Sequence, residues 1–262
     1  MAEVGVFVVP AAGDAARTVE QVVAAEEAGL DLVGIQDHPY QRRFLDTFTL
    51  LAYVAARTER IKLAPDVANL PLRPPTMIAK AAASIDVLSG GRFELGLGAG
   101  AFWDNIAAMG GPKLGPKESV DALEDAIPAI RSFWSGEQQG DLKPGPPPAH
   151  PIGIWLGAYG PRMLRLTGRL ADGWLPSLGN LDEKTIPERQ QAIDEAAEKA
   201  GRAPGDIRRL INVGMDTDPD RLVRLAAEER FDTLILSLGD GDPREAIERI
   251  GSELAPRLRD AA

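Results

Sequence analysis

Short apolar runs rich in valine, isoleucine and leucine alternate along this chain with longer segments whose apolar positions recur every three or four residues. Residues 4–9 form the first run. The segment after it aligns Val19, Val22 and Val23 on one helical face and reaches Gly29, where a left-handed cap belongs. Residues 32–35 form the second run, and Asp46 is placed to cap a helix carrying Phe48, Leu51, Ala52 and Ala55 inward. Residues 61–64 give the third strand. Its helix starts near Pro75, buries Met77, Ile78, Ala81, Ala82 and Ile85, and stops at Gly90 and Gly91. Residues 93–98 are the fourth strand, followed by an irregular stretch and a helix with Val120, Leu123, Ile127, Ile130 and Phe133 in register.

The second half keeps the rhythm after a polar loop over 135–151, in which Pro146, Pro147 and Pro148 read as stiff and exposed. Strands are predicted at 152–156, 173–175, 210–213 and 233–238. The helices between and after them carry Met163, Leu166 and Leu170; Ala192, Ile193, Ala196 and Ala197; Leu222, Leu225 and Ala226; and Ile247, Ile250 and Leu254. Fully buried parallel strands are continuous in their apolarity, as these are. Eight such units, each strand with its helix, predict an α/β fold of the (β/α)8 TIM-barrel type in preference to a doubly wound sheet.

The length of 262 residues suits one barrel domain spanning 1–262, with no obvious linker or internal repeat. Asp and Glu number 39 against 29 Lys and Arg, a formal charge of −10, which disfavours nucleic acid and anionic membrane as partners. With no cysteine, disulfides, thiolate catalysis and Cys-ligated metal are excluded, and the composition fits the cytoplasm. Neither a signal peptide nor an apolar stretch of membrane-spanning length is read.

Barrel enzymes place their chemistry at the C-terminal ends of the strands. After strand two stand Asp37, His38 and Tyr40. His38 either moves protons near neutral pH or merely bonds the next loop. Asp37 could orient it, contact a ligand or cap the turn. After strand three come Asp66, Val67, Ala68 and Asn69, then a proline-stiffened path to the helix; Asn69 offers both a donor and an acceptor. After strand four, Gly98, Ala99, Gly100 and Ala101 leave room for a flat ligand, with Phe102 and Trp103 as pocket walls or as a cover on an empty mouth. After strand five, Gly157, Ala158, Gly160, Pro161, Arg162 and Met163 open a helix whose free N–H groups, with Arg162, form a candidate anion site for a phosphate. The loop 110–116 also borders the expected substrate pocket. The second histidine, His150, lies among prolines and is expected to have no chemical role. No metal constellation is read: two histidines far apart cannot build a His-rich site, though carboxylates alone could hold magnesium. Strict dinucleotide, P-loop and nucleophile-elbow motifs are absent. Residues 96–101 fit a looser dinucleotide pattern, discounted because no helix is expected directly after it.

Two blocks carry a resemblance. The first runs from Asp46 through Arg57-Thr58-Glu59-Arg60, Arg73-Pro74-Pro75 and Leu88-Ser89-Gly90-Gly91-Arg92 to Leu95-Gly96-Leu97-Gly98-Ala99-Gly100. The second is Gly157-Ala158-Tyr159-Gly160-Pro161-Arg162-Met163-Leu164, followed by Gly168-Arg169-Leu170-Ala171-Asp172-Gly173-Trp174. In these the chain resembles the luciferase-like (LLM-class) oxidoreductases that use a flavin or the deazaflavin coenzyme F-420 (F420), from about Val4 to Ser177 and more loosely beyond. The resemblance implies a barrel, often homodimeric, with the coenzyme ring at the barrel mouth. It implies a non-prolyl cis peptide at Asp66–Val67 behind the ring, a phosphate contact over 157–163, and an Asp37–His38 pair after strand two. The Gly-Ala-x-Gly-Pro-x-Met-Leu form is closer to F420-dependent reductases, so F420 is favoured over FMN. The expected activity is hydride transfer to or from a small organic substrate. The alternatives are a two-component FMN monooxygenase fed by a separate reductase and a non-catalytic flavin-binding protein. One departure stands out: relatives that oxidise a sugar phosphate carry a glutamate where this chain has Ala101. The chain is also short for the family, which implies a trimmed roof and an open pocket.

Overall fold

The computed structural model describes residues 2–136 and 144–261, so the first residue and part of the loop read over 135–151 lie outside the described residues. Strands β1 (Glu3–Val8) and β2 (Leu32–Ile35) flank helix α1 (Ala15–Glu27); α2 (Thr47–Ala55) follows, then β3 (Lys62–Pro65), β4 (Ala68–Asn69) and α3 (Pro75–Ser89). After β5 (Leu95–Gly98) come α4 (Trp103–Ala108) and α5 (Pro116–Ser135). The second half runs β6 (Ile154–Leu156), α6 (Pro161–Leu170), β7 (Gly173–Trp174), α7 (Ile186–Lys199), β8 (Arg208–Val213), α8 (Pro219–Ala227), β9 (Thr233–Ser237), α9 (Pro243–Arg249) and α10 (Ala255–Ala261).

All strands are parallel, in the order β3-β2-β1-β9-β8-β7-β6-β5-β4. A parallel bridge between Leu63 and Phe93 returns β3 to the far edge: Leu63 N donates to Arg92 O and Glu94 N to Leu63 O, each at 2.9 Å. The sheet thereby closes into the expected barrel, with helices outside. Valine, isoleucine and leucine side chains of the strands fill its core, with Trp155, Trp174 and Phe231 among the largest buried groups.

The third strand departs from the expected single run. It breaks into β3, which pairs with β2, and β4, which pairs with β5; the Asp66–Val67 peptide between them is cis. The neighbouring strand is shaped for this break. A Cβ on Gly96 would lie 2.2 Å from the Pro65 carbonyl oxygen, and one on Gly98 would lie 2.8 Å from Val67 Cγ2. The glycines of strand four therefore make room first for a kinked neighbouring strand.

Helix ends follow their sequence signals. Asp46 accepts from Thr49 N at 2.9 Å, Gly29 and Gly90 take left-handed φ of 73° and 71°, and Pro75 and Pro161 open their helices. Two expectations fail. Met77 is 59% exposed, because the buried stripe of α3 runs through Ile78, Ala82, Ile85 and Ser89, and a residue one position earlier turns outward. The stretch after strand four is not wholly irregular: α4 opens at Trp103, with Phe102 left-handed at its N-cap, φ 58°. His150 packs at the N-terminal end of the barrel, its Nδ1 2.7 Å from the buried Asp86 Oδ1, while Asp86 Oδ2 accepts from Ala149 N and His150 N. It tethers a loop, which leaves it no evident chemistry. Among the described residues no helix is long and apolar enough to cross a membrane.

Candidate active site

The C-terminal strand ends surround a cavity of about 1230 Å³. It is lined by Asp37, His38 and Tyr40 after β2; Asp66, Val67, Ala68 and Asn69 around the break in strand three; Gly98, Ala99, Gly100, Ala101, Phe102 and Trp103 after β5; and Gly157, Gly160, Pro161, Arg162 and Met163 after β6. Every candidate residue read from the sequence is on this wall except Ala158. That residue is fully buried, and its carbonyl accepts from Trp174 Nε1 at 2.9 Å, so it faces the core. The 110–116 loop is also displaced from expectation. Only Pro116 of it reaches the main cavity, whereas Gly110, Gly111, Pro112 and Leu114 line a separate 390 Å³ cavity beside the Leu70–Leu72 turn.

His38 is half-buried, and Nδ1 lies 2.5 Å from the Tyr40 hydroxyl. Phe102 packs edge-on at 5.6 Å and is itself 62% exposed, so an aromatic trio forms one side wall. Burial lowers the His38 pKa below its usual 6.5 against an opposing pull from Asp37. Burial, with the Asp37 charge, pushes Tyr40 up to about 12. Both groups are therefore neutral near pH 7.

Asp37 does not hold the His38 ring. Its carboxylate turns away, taking Arg73 Nη1 at 2.6 Å, Arg73 Nη2 at 3.2 Å and Asn69 N at 2.8 Å. Arg73 in turn reaches Asp46 at 2.6 Å, the cap of α2, and lies 4.9 Å over the Phe48 ring. Burial would lower the Arg73 pKa, but the flanking carboxylates more than offset it and hold the pKa above normal. Asp37 thus ties the ends of β2 and β4 together and reaches His38 only through its field.

The cavity floor is polar. Asp66 and Asn69 are buried, and Asn212 Nδ2 donates to Asp66 Oδ1 at 3.1 Å. Asp66 Oδ2, Asn69 Oδ1 and Asn212 Oδ1 are buried without a protein partner. Desolvation raises the Asp66 pKa to about 7. Asn212 went unread in the sequence, although a lone amide within Leu-Ile-Asn-Val is a signal.

At the rim, Arg162 was expected to wait for an external anion. It is instead bonded by Asp121 and Glu124 of α5, because these carboxylates, three residues apart, share the face that packs on α6. The α6 N-terminus still borders the cavity at Gly160 and Pro161.

An open barrel mouth with a kinked third strand and a helix start at its rim defines a ligand-holding barrel of the kind the sequence blocks suggested. The chain belongs to the luciferase-like monooxygenase family, whose model matches residues 1–260. It is 30% identical over 254 residues to an F420-dependent glucose-6-phosphate dehydrogenase of Amycolatopsis mediterranei (strain U-32), covering 90% of this chain and 76% of that relative. It is 32% identical over 217 residues to the enzyme of the same description from Kribbella flavida (strain DSM 17836 / JCM 10339 / NBRC 14399), covering 77% and 65%. Among solved structures, an F420-dependent secondary alcohol dehydrogenase in complex with an F420-acetone adduct superposes with a TM-score of 0.83 at 16% identity, covering 99% of each chain. At that identity the likeness is one of fold.

Proposed function

We propose that the chain is an F420-dependent oxidoreductase that moves a hydride between the deazaflavin and a small organic substrate. The observation that carries this reading is the cavity itself: a buried polar floor with three unpartnered oxygens, an aromatic side wall bearing His38, and a helix N-terminus at the rim. These features suit a planar heterocycle with a phosphate-bearing tail. The relatives named as F420-dependent favour the deazaflavin over FMN.

When bound, F420 supplies the carbon that accepts or releases hydride. The protein supplies orientation and proton management. With Nδ1–H donating to the Tyr40 oxygen, Nε2 of neutral His38 keeps the lone pair needed to take a proton from a substrate hydroxyl. In the reverse direction the imidazolium returns it to a carbonyl oxygen. Val67, seated between β5 and Gly157, would back the ring, and the helix start at Gly160 and Pro161 would hold the phosphate. Ala101 at the wall has no acid to offer a sugar, so a simple alcohol or carbonyl compound is favoured over glucose 6-phosphate.

Separate titration of the apoprotein with F420 and FMN, followed by turnover with a panel of alcohols, ketones and glucose 6-phosphate, tests the reading. Micromolar F420 binding and hydride exchange support it. FMN binding with oxygen consumption and no F420 binding points to a two-component monooxygenase instead. The dimer implied by the family has a ready surface: Tyr53 on α2 and Met77, Val87 and Leu88 on the adjoining α3 are large exposed apolar groups. Sedimentation of wild type and a Leu88→Glu variant checks it, a monomeric wild type removing the idea.

A further inference from the structure

Asp66 sits where the third strand breaks, at the bottom of the cavity and facing into the barrel. Its carboxyl lies over β2: a Cβ on Gly34 would come within 2.8 Å of Oδ2, so glycine is needed there to admit the acid. One oxygen takes a hydrogen bond from Asn212, and the other is buried with no protein partner. Among the described residues no cation forms an ion pair with it. The cations around this end of the barrel are engaged elsewhere: Arg73 by Asp37 and Asp46, Arg162 by Asp121 and Glu124, and Lys117 by Asp121. Of the other titratable groups on the wall, His38 and Tyr40 are uncharged near neutrality, Asp37 is paired with Arg73, and the Tyr159 hydroxyl accepts from Ser177 N. A carboxylate buried without a counter-ion is costly, and taking up a proton removes the cost.

We propose that Asp66 is a coenzyme-binding residue that works as the carboxylic acid: its Oδ2–H donates to a ring carbonyl, while the amide oxygens of Asn212 and Asn69 accept a ring N–H. The floor then reads the alternating C=O and N–H edge of a planar heterocycle. Both F420 and FMN carry such an edge, so the inference rests on the coenzyme reading above without depending on which of the two is bound. The proton balance is simple. The acid enters protonated, donates a hydrogen bond and keeps its proton, so no group is oxidised or reduced. The titration near pH 7 given by burial makes the bond pH-sensitive. Above that range binding must be accompanied by uptake of a proton from solvent, and affinity falls by up to tenfold per pH unit until the bound-state pKa is reached.

Two measurements test this on the intact protein. The first needs no coenzyme: difference infrared spectra of apo wild type against Asp66→Asn should contain a protonated-carboxyl C=O band that grows as pH falls through about 7. The second is the dissociation constant of F420, and in parallel FMN, across the same range, with proton uptake measured calorimetrically in two buffers. Wild type should bind more weakly as pH rises and take up a fraction of a proton. Asp66→Asn, whose amide still donates, should bind with this pH dependence flattened and the uptake lost. Asp66→Leu should bind weakly at every pH, and its thermal melt separates this from misfolding. No acid band, or an unchanged pH slope and uptake in Asp66→Asn, overturns the proposal. If wild type binds neither coenzyme, the reading of the site as a coenzyme cavity falls, and the infrared band still decides whether Asp66 holds a proton.

Discussion

The Asp37–Arg73 pair gives the sharpest energetic test of how the site is held. The Asp37 side chain is 1% exposed and that of Arg73 18%, so solvent cannot replace either partner. Replacing Arg73 by Met leaves a buried carboxylate that keeps the Asn69 amide as a donor, and removes the bond to Asp46 and the contact over Phe48. Breaking a buried pair by removing one member costs about 3–5 kcal/mol. For a chain of this size each kcal/mol lowers the melting temperature by about 2–4 °C, so Arg73→Met should melt roughly 6–20 °C below wild type. Asp37→Asn should cost less, because Arg73 keeps Asp46. The double variant should be more stable than the two single losses combined, with a coupling of about 0.5–3 kcal/mol recovered when neither charge is left alone. Urea denaturation of the four proteins measures each term. If Arg73→Met melted within a degree or two of wild type, or the two losses simply added, the pair would not be the clamp between the ends of β2 and β4.

Removing the imidazole by His38→Ala should lower turnover by about 10²–10⁴-fold while coenzyme affinity stays nearly unchanged, and unchanged turnover with a verified substrate would eliminate the proton role. Because burial depresses the His38 pKa, alcohol oxidation should rise with pH through a midpoint below 6.5 and then level off; a midpoint above 6.5 contradicts the desolvated environment. Gly96→Ala drives a Cβ against the Pro65 carbonyl at the strand break and should destabilise by about 1–3 kcal/mol, checked by urea titration, with a neutral result meaning that the kinked strand can yield. Asp121→Asn loosens the internal grip on Arg162 and should strengthen binding of inorganic phosphate at the rim, measured by calorimetry; no gain would mark Arg162 as purely structural.

The barrel was legible because a parallel strand covered on both faces has no polar side to show. Runs such as Leu32-Val33-Gly34-Ile35 can be read without knowing their neighbours. The candidate loops followed from the same reading, since strand ends fix which connections meet at one mouth. Pairings across the barrel were not legible. Arg73 lies 36 positions from Asp37, and Arg162 41 from Asp121; only closure of the sheet and the packing of α5 on α6 bring their charges together. The break in strand three was not read, the resemblance implying only the cis peptide at Asp66–Val67, and its support lies in another strand, where Gly96 and Gly98 admit Pro65 and Val67. Asn212 is the instructive miss. It is a partly buried polar side chain in an otherwise apolar run, and such a group calls for a buried partner, a ligand, or both. Its amide nitrogen meets Asp66 and its oxygen meets no protein group at the cavity floor. The polar exception in an apolar run therefore marks the floor of the site as surely as the loops mark its rim.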